Sequence, residues 1–131
     1  MISTEKNDNL TVVSVTGEVT AAEIVTYLVE YMSSGPTKKA IWDFTGAKNL
    51  KITTLEVKAV VDNLKALTKD KESRRVALVG SKTINIGLGK LFAAFAQMAN
   101  LPNTYKVFRN VHLAEEWLAE SADDLQAVPR R

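Results

Sequence analysis

Short runs of apolar, β-branched residues alternate along this chain with longer stretches of helical periodicity. Leu10-Thr11-Val12-Val13-Ser14-Val15-Thr16 is one such run, and it stops at Gly17, which predicts a strand. The Asn7-Asp8-Asn9 turn signal before it makes residues 2–6 the other arm of a hairpin. Thr20, with Glu23 three residues on, forms a capping box that opens a helix. That helix runs to about Met32, where Ser33-Ser34-Gly35-Pro36 stops it. Lys39-Ala40-Ile41-Trp42-Asp43-Phe44 reads as a second strand with a carboxylate near its end. Thr53 or Thr54 caps a second helix, with Glu56 at capping-box distance from Thr53 and an apolar stripe of Val57, Val60, Val61, Leu64 and Leu67. Arg75-Val76-Ala77-Leu78-Val79 is apolar enough to be buried on both faces of a sheet. A third helix is expected from about Gly87 to Ala99, and a last strand over Tyr105-Lys106-Val107-Phe108. Asn110 caps a fourth helix, with Leu113, Ala114, Trp117 and Leu118 expected to face inward.

Strand and helix alternate from residue 10 onward. Each strand-helix-strand step asks for a right-handed crossover, so the fold class is α/β. The expected architecture is a mostly parallel sheet of four to five strands, with an antiparallel N-terminal hairpin edge and four helices. Residues 1–121 make one domain, as 131 residues allow, and residues 122–131 are expected to be a frayed tail.

Composition narrows the chemistry. No cysteine is present, which removes disulfides, thiolate metal sites and cysteine nucleophiles. With one histidine, a multi-histidine metal centre is excluded too, so no metal and no cofactor is expected. The formal net charge of +2 is too small to point to nucleic acid, and none is expected as a partner. Charge is unevenly spread: residues 38–109 carry 14 Lys or Arg against five acids, while both flanks are acidic. The basic middle either meets anions or supplies solvated helix faces. No apolar run approaches a membrane span, and Met1 to Asp8 has no basic head followed by an apolar stretch. The expected location is the cytoplasm, with peripheral attachment to a membrane left open.

No enzyme signature survives close reading. Gly80-Ser81-Lys82-Thr83 and Gly87-Leu88-Gly89-Lys90 lack the spacing of a phosphate loop, and the third glycine of a dinucleotide fingerprint is missing. Anion binding at Gly87, as a helix start, stays open. His112 has no serine-acid partners nearby in sequence and reads as a surface residue. Asp43 stands at the carboxyl end of a strand, where α/β sheets place functional groups. Its other reading is a cap for the loop amides around Thr45 and Gly46. Within the third helix, Leu88, Leu91, Phe92 and Phe95 leave Lys90 and Gln97 as the only polar side chains between Gly87 and Ala99. Such a helix is apolar around too much of its circumference to face water alone. Its spare face calls for a second subunit, an apolar or anionic lipid-like ligand, or a membrane surface, with Lys82 and Lys90 placed to meet an anionic group.

Three phrases carry a family likeness. Trp42-Asp43-Phe44-Thr45-Gly46, Val76-Ala77-Leu78-Val79-Gly80, and Val107-Phe108-Arg109-Asn110-Val111-His112-Leu113-Ala114-Glu115-Glu116-Trp117-Leu118 resemble the SpoIIAA-like branch of the STAS superfamily. The resemblance spans about residues 2–119. It implies a small α/β domain without known catalysis, with roles in membrane association or in binding apolar ligands; with the spare helix face, the expected function is a non-enzymatic binding module for an apolar ligand, a membrane surface or a second subunit. It also implies an alternative, an anti-sigma-antagonist-like signalling module that docks a regulatory protein under phosphorylation near Thr53. Thr53 falls on the family's phospho-acceptor position, and Asp43, Thr45, Gly46 and Leu55 match the surrounding signature. Lys51, Ile52 and Thr54 depart from it, standing where the pattern has aspartate, serine and glycine.

Overall fold

The computed structural model of the protein describes residues 1–7, 9–48, 50–69 and 72–120. The expected tail at 122–131 lies outside the described residues. Five strands form one sheet in the order β1-β2-β3-β4-β5: β1 (Ile2–Lys6), β2 (Leu10–Gly17), β3 (Lys39–Ala47), β4 (Arg75–Val79) and β5 (Thr104–Phe108). β1 pairs antiparallel with β2, and every later pair is parallel. Four helices follow strands: α1 (Ala21–Ser33), α2 (Thr54–Leu67), α3 (Thr83–Met98) and α4 (Val111–Ala119). The α/β reading with its hairpin edge therefore holds.

Each crossover advances one strand in the same direction, so right-handed connections put α1, α2 and α3 side by side on one face. Close backbone neighbours agree: α2 lies between α1 and α3, α3 leans on β4 and β5, and α4 sits against β3, β4 and β5. The sheet separates two cores. On the three-helix face, Val13, Val15, Trp42 and Leu78 meet Ile24, Leu28, Val60 and Leu64. On the other, Ile41, Ala77 and Val79 meet Ala114 and Leu118. β4 is buried on both faces between them, as its unbroken apolar run requires.

The helix starts follow the sequence closely. Thr20 with Glu23 and Thr53 with Glu56 both form complete capping boxes, and the Asn110 side chain accepts from the Leu113 amide. α3 departs from expectation, starting at Thr83 rather than Gly87, with Lys82 as an N-cap that makes no side-chain bond. Without a capping side chain, no sequence signal marked that start. Gly87 consequently lies inside the helix, where its amide is spent on the helical ladder, so it is not the helix start that anion binding there requires. β3 runs on to Ala47 instead of ending at Phe44, past a register shift against β2 between Ser14 and Thr16.

α4 corrects a second expectation. Ala114 and Leu118 are buried, but Leu113 is 42% exposed and Trp117 is only half-buried. A nine-residue helix can bury one narrow stripe against a sheet, and positions 114 and 118 take it. Trp117 flanks that stripe, with its ring 5.6 Å from Phe108 and the Arg75 guanidinium 5.3 Å above it. Arg75 also donates to the Trp117 and Glu120 carbonyls, tying off the end of the helix. Leu118→Ala should therefore cost about 2–5 kcal/mol. Leu113→Ala should stay within about 0.5 kcal/mol, as for ordinary surface positions. Urea unfolding of the two variants measures both.

Candidate functional site

An apolar cavity of about 120 Å³ lies between the sheet and the three-helix layer. Its walls come from α1 (Ile24, Leu28, Tyr31), α2 (Val57, Val60, Leu64) and α3 (Leu88, Gly89, Phe92). The strands supply Trp42 and Phe44 from β3, Leu78 from β4, and Tyr105 and Val107 from β5. Aromatic rings brace one another across this space. Trp42 stands edge-on to Tyr27 at 5.3 Å and stacks on Phe44 at 6.1 Å, and Phe92 meets Tyr105 edge-on at 5.0 Å. Gly89 lets α3 close on the sheet, since a Cβ there would sit 3.3 Å from Val107 Cγ2.

Polar groups reach the wall at two ends. At the carboxyl ends of the strands, the buried Asn85 donates from Nδ2 to the Phe44 carbonyl at 3.4 Å. Gly80 leaves room for it, because a Cβ there would fall 3.0 Å from Asn85 Cβ. At the amino ends stand Arg74, Asn103 and Tyr105. Asn103 joins the other two: its Oδ1 accepts from the Arg74 amide at 3.1 Å and its Nδ2 donates to the Tyr105 hydroxyl at 3.1 Å. Burial pushes the Tyr105 phenol above its usual pKa, against smaller opposing effects of Asn103 and Arg74.

The residues singled out in the sequence fall in several places. Leu88 and Phe92 line the cavity; Leu91 and Phe95 are half-buried in the monomer but outside its wall. Lys82 and Lys90 are exposed, and Lys82 Nζ lies 3.4 Å from the Ala47 carbonyl. Asp43 Oδ1 accepts from the Thr45 amide at 2.9 Å and from the Thr45 hydroxyl at 2.6 Å. Those bonds close the bulge in β3. Thr53 is exposed at the N-cap of α2, where its hydroxyl accepts from the Glu56 amide at 3.1 Å. His112 faces solvent, 3.3 Å from Glu116. No cluster of three metal-ligating side chains occurs among the described residues. Among them, too, no helix is long and apolar enough to cross a membrane.

Sequence reasoning missed Arg74, Asn103, Tyr105 and Asn85 as cavity residues. Asn85 carried one usable signal, an amide side chain within an otherwise apolar helix. Arg74 and Asn103 carried none, because each sits in a loop whose course only the assembled sheet defines.

A mostly parallel sheet with an antiparallel N-terminal edge, three helices on one face and a last helix on the other defines a STAS-type α/β domain. The family model for SpoIIAA-like proteins matches residues 10–119, and the chain belongs to that family. No curated protein shows a sequence match. Among solved structures, it resembles an uncharacterised protein with a SpoIIAA-like fold from Shewanella loihica, at 20% identity and TM-score 0.54, over 90% of this chain and 92% of that one. It also resembles the anti-sigma factor antagonist SpoIIAA in its unphosphorylated form, at 13% identity and TM-score 0.51, over 91% and 97% of the two chains. The Bacillus cell fate determinant SpoIIAA in its phosphorylated form is similar at 14% identity and TM-score 0.50, over 89% and 99%.

Thr53→Ala removes the acceptor for the Glu56 amide and should cost about 1 kcal/mol. Thr53→Ser should retain it. Chemical denaturation of the pair separates a capping role from a merely exposed one.

Proposed function

We propose that this SpoIIAA-like domain is a non-catalytic binding module that takes a small apolar ligand into the cavity beneath α1, α2 and α3. The observation that carries the reading is the cavity itself, about 120 Å³ of apolar space inside a domain this small. Well-packed interiors hold few voids larger than a water molecule, and empty ones cost stability. The third helix supports the same reading. Leu88 and Phe92 turn their apolar bulk into the cavity, and Leu91 and Phe95 are half covered within the monomer. That coverage favours an internal ligand over a second subunit or a membrane surface, because Ile84 and Met98 remain as the large exposed apolar side chains of α3. The candidate polar groups support a binding role over catalysis: Asp43 is engaged by Thr45, and His112 pairs with Glu116 at the surface.

A second reading has its own observation. Thr53, Lys51 and Lys82 are exposed at the carboxyl edge of the sheet, with Leu55 80% and Ile84 63% exposed beside them in sequence. An exposed hydroxyl at a helix N-terminus suits a phosphate, whose charge the helix dipole favours. On this reading the edge docks a regulatory protein and Thr53 is the control point, with Glu56 opposing a new negative charge at the cap.

Toluene tests the first reading. In a Trp117→Phe background Trp42 is the only tryptophan, and it lines the cavity. Toluene should change its emission and raise the midpoint of thermal unfolding, by about 2.7 kcal/mol of stabilisation at a hundredfold excess over Kd. Neither change occurring would refute it.

A further inference from the structure

Asn85 is the one polar side chain buried within α3, only 7% exposed on a helix whose other buried residues are Ile86 and Ala96. It does not cap the helix, since Lys82 is the N-cap and no side chain bonds there. Asn85 Nδ2 instead donates to the Phe44 carbonyl at 3.4 Å. That bond fixes which way the amide points, because the flipped form would set two carbonyl oxygens against each other. Gly80 holds the residue close to the sheet, with room for nothing larger beside Asn85 Cβ.

A primary amide offers two donor hydrogens and one acceptor oxygen, and the bond to Phe44 uses a single hydrogen. None of the described residues donates to Asn85 Oδ1. That oxygen is nonetheless not sealed in. Arg74 Nε is the one side-chain nitrogen or oxygen among the described residues that lacks both a partner and accessible surface. Asn85 Oδ1, also unpartnered, therefore keeps accessible surface. Its residue is nine-tenths buried and belongs to the wall of the apolar cavity, as do Phe44 and Gly80.

Acceptor and size together set the ligand. An amide oxygen takes an O–H donor and repels a carboxylate. An engineered apolar cavity of about 150 Å³ accommodates benzene. The space here is about 120 Å³, enough for one ring or a short chain and too small for a full acyl lipid. We propose that the cavity binds a small neutral hydroxylated molecule, single-ring or short-chain, whose hydroxyl donates to Asn85 Oδ1. The rest of the ligand lies against the apolar wall. This narrows the lipid-like ligand expected from the sequence, and it rests on the binding reading above.

Phenol and toluene, a hydroxyl in one standing where the other has a methyl, distinguish the two levels. Both are titrated into the Trp117→Phe protein and into the same protein carrying Asn85→Leu, followed by Trp42 emission. Phenol should bind at least tenfold more tightly with Asn85 than with the substitution, while toluene binding stays within twofold. The nuclear magnetic resonance signal of the Asn85 side-chain carbonyl carbon in wild type should move with phenol and stay still with toluene. That measurement decides the matter if Asn85→Leu does not fold. Toluene binding without phenol binding, or phenol binding indifferent to Asn85, overturns the hydroxyl anchor and leaves the apolar reading standing. Binding of neither overturns both.

Discussion

Parallel strands lie about 4.8 Å apart, whereas packed helices need about 8–10 Å between axes. In this protein every crossover moves to the adjacent strand in the same direction, so three helices must share the width of four strands on one face. They cannot all sit equally close to it. α3 closes on β4 and β5, and α2 lies between α1 and α3, its close backbone neighbours. The cavity opens between the sheet and these helices, with Val57, Val60 and Leu64 on the α2 side and Trp42 and Leu78 on the sheet side. The opposite face carries the single helix α4 and has no such conflict, and its core is closed by residues as small as Ala77 and Ala114.

Local chemistry explains which elements could be read from the chain. Capping boxes at Thr20 and Thr53 are complete in sequence, since partner and cap lie three residues apart, and both helices begin where they indicate. The Val76–Val79 run announced a doubly covered strand because four apolar residues in succession leave no polar face, and the run is too short for a helix. α3 began earlier than expected for the converse reason, as Lys82 offers no capping bond. Leu113 was assigned inward by its spacing, but spacing fixes only a shared helix face, and the short α4 buries the stripe of Ala114 and Leu118 instead.

The site was legible in part. An apolar surplus on the third helix pointed at Leu88 and Phe92, and both line the cavity. What the surplus faced was not legible, because the answer depends on how the three helices pack over the sheet. The polar end was hidden altogether. Arg74 and Asn103 are 29 positions apart and meet only when β4 and β5 pair, with Thr104 in register with Arg75.

One helix joins the cavity to the exposed Thr53 cap. α2 begins at the exposed Thr53 cap on the carboxyl edge and carries Val57, Val60 and Leu64 along the roof of the cavity toward the amino edge. Part of its buried stripe faces the cavity. Anything that fills the cavity adds contacts to α2 directly. Anything that changes the charge at Thr53 acts on the same helix through its first turn, where Glu56 closes the capping box. A ligand beneath the helix and a partner at its cap therefore bear on one element. The apolar and the regulatory readings describe two ends of α2 rather than two separate regions of the fold.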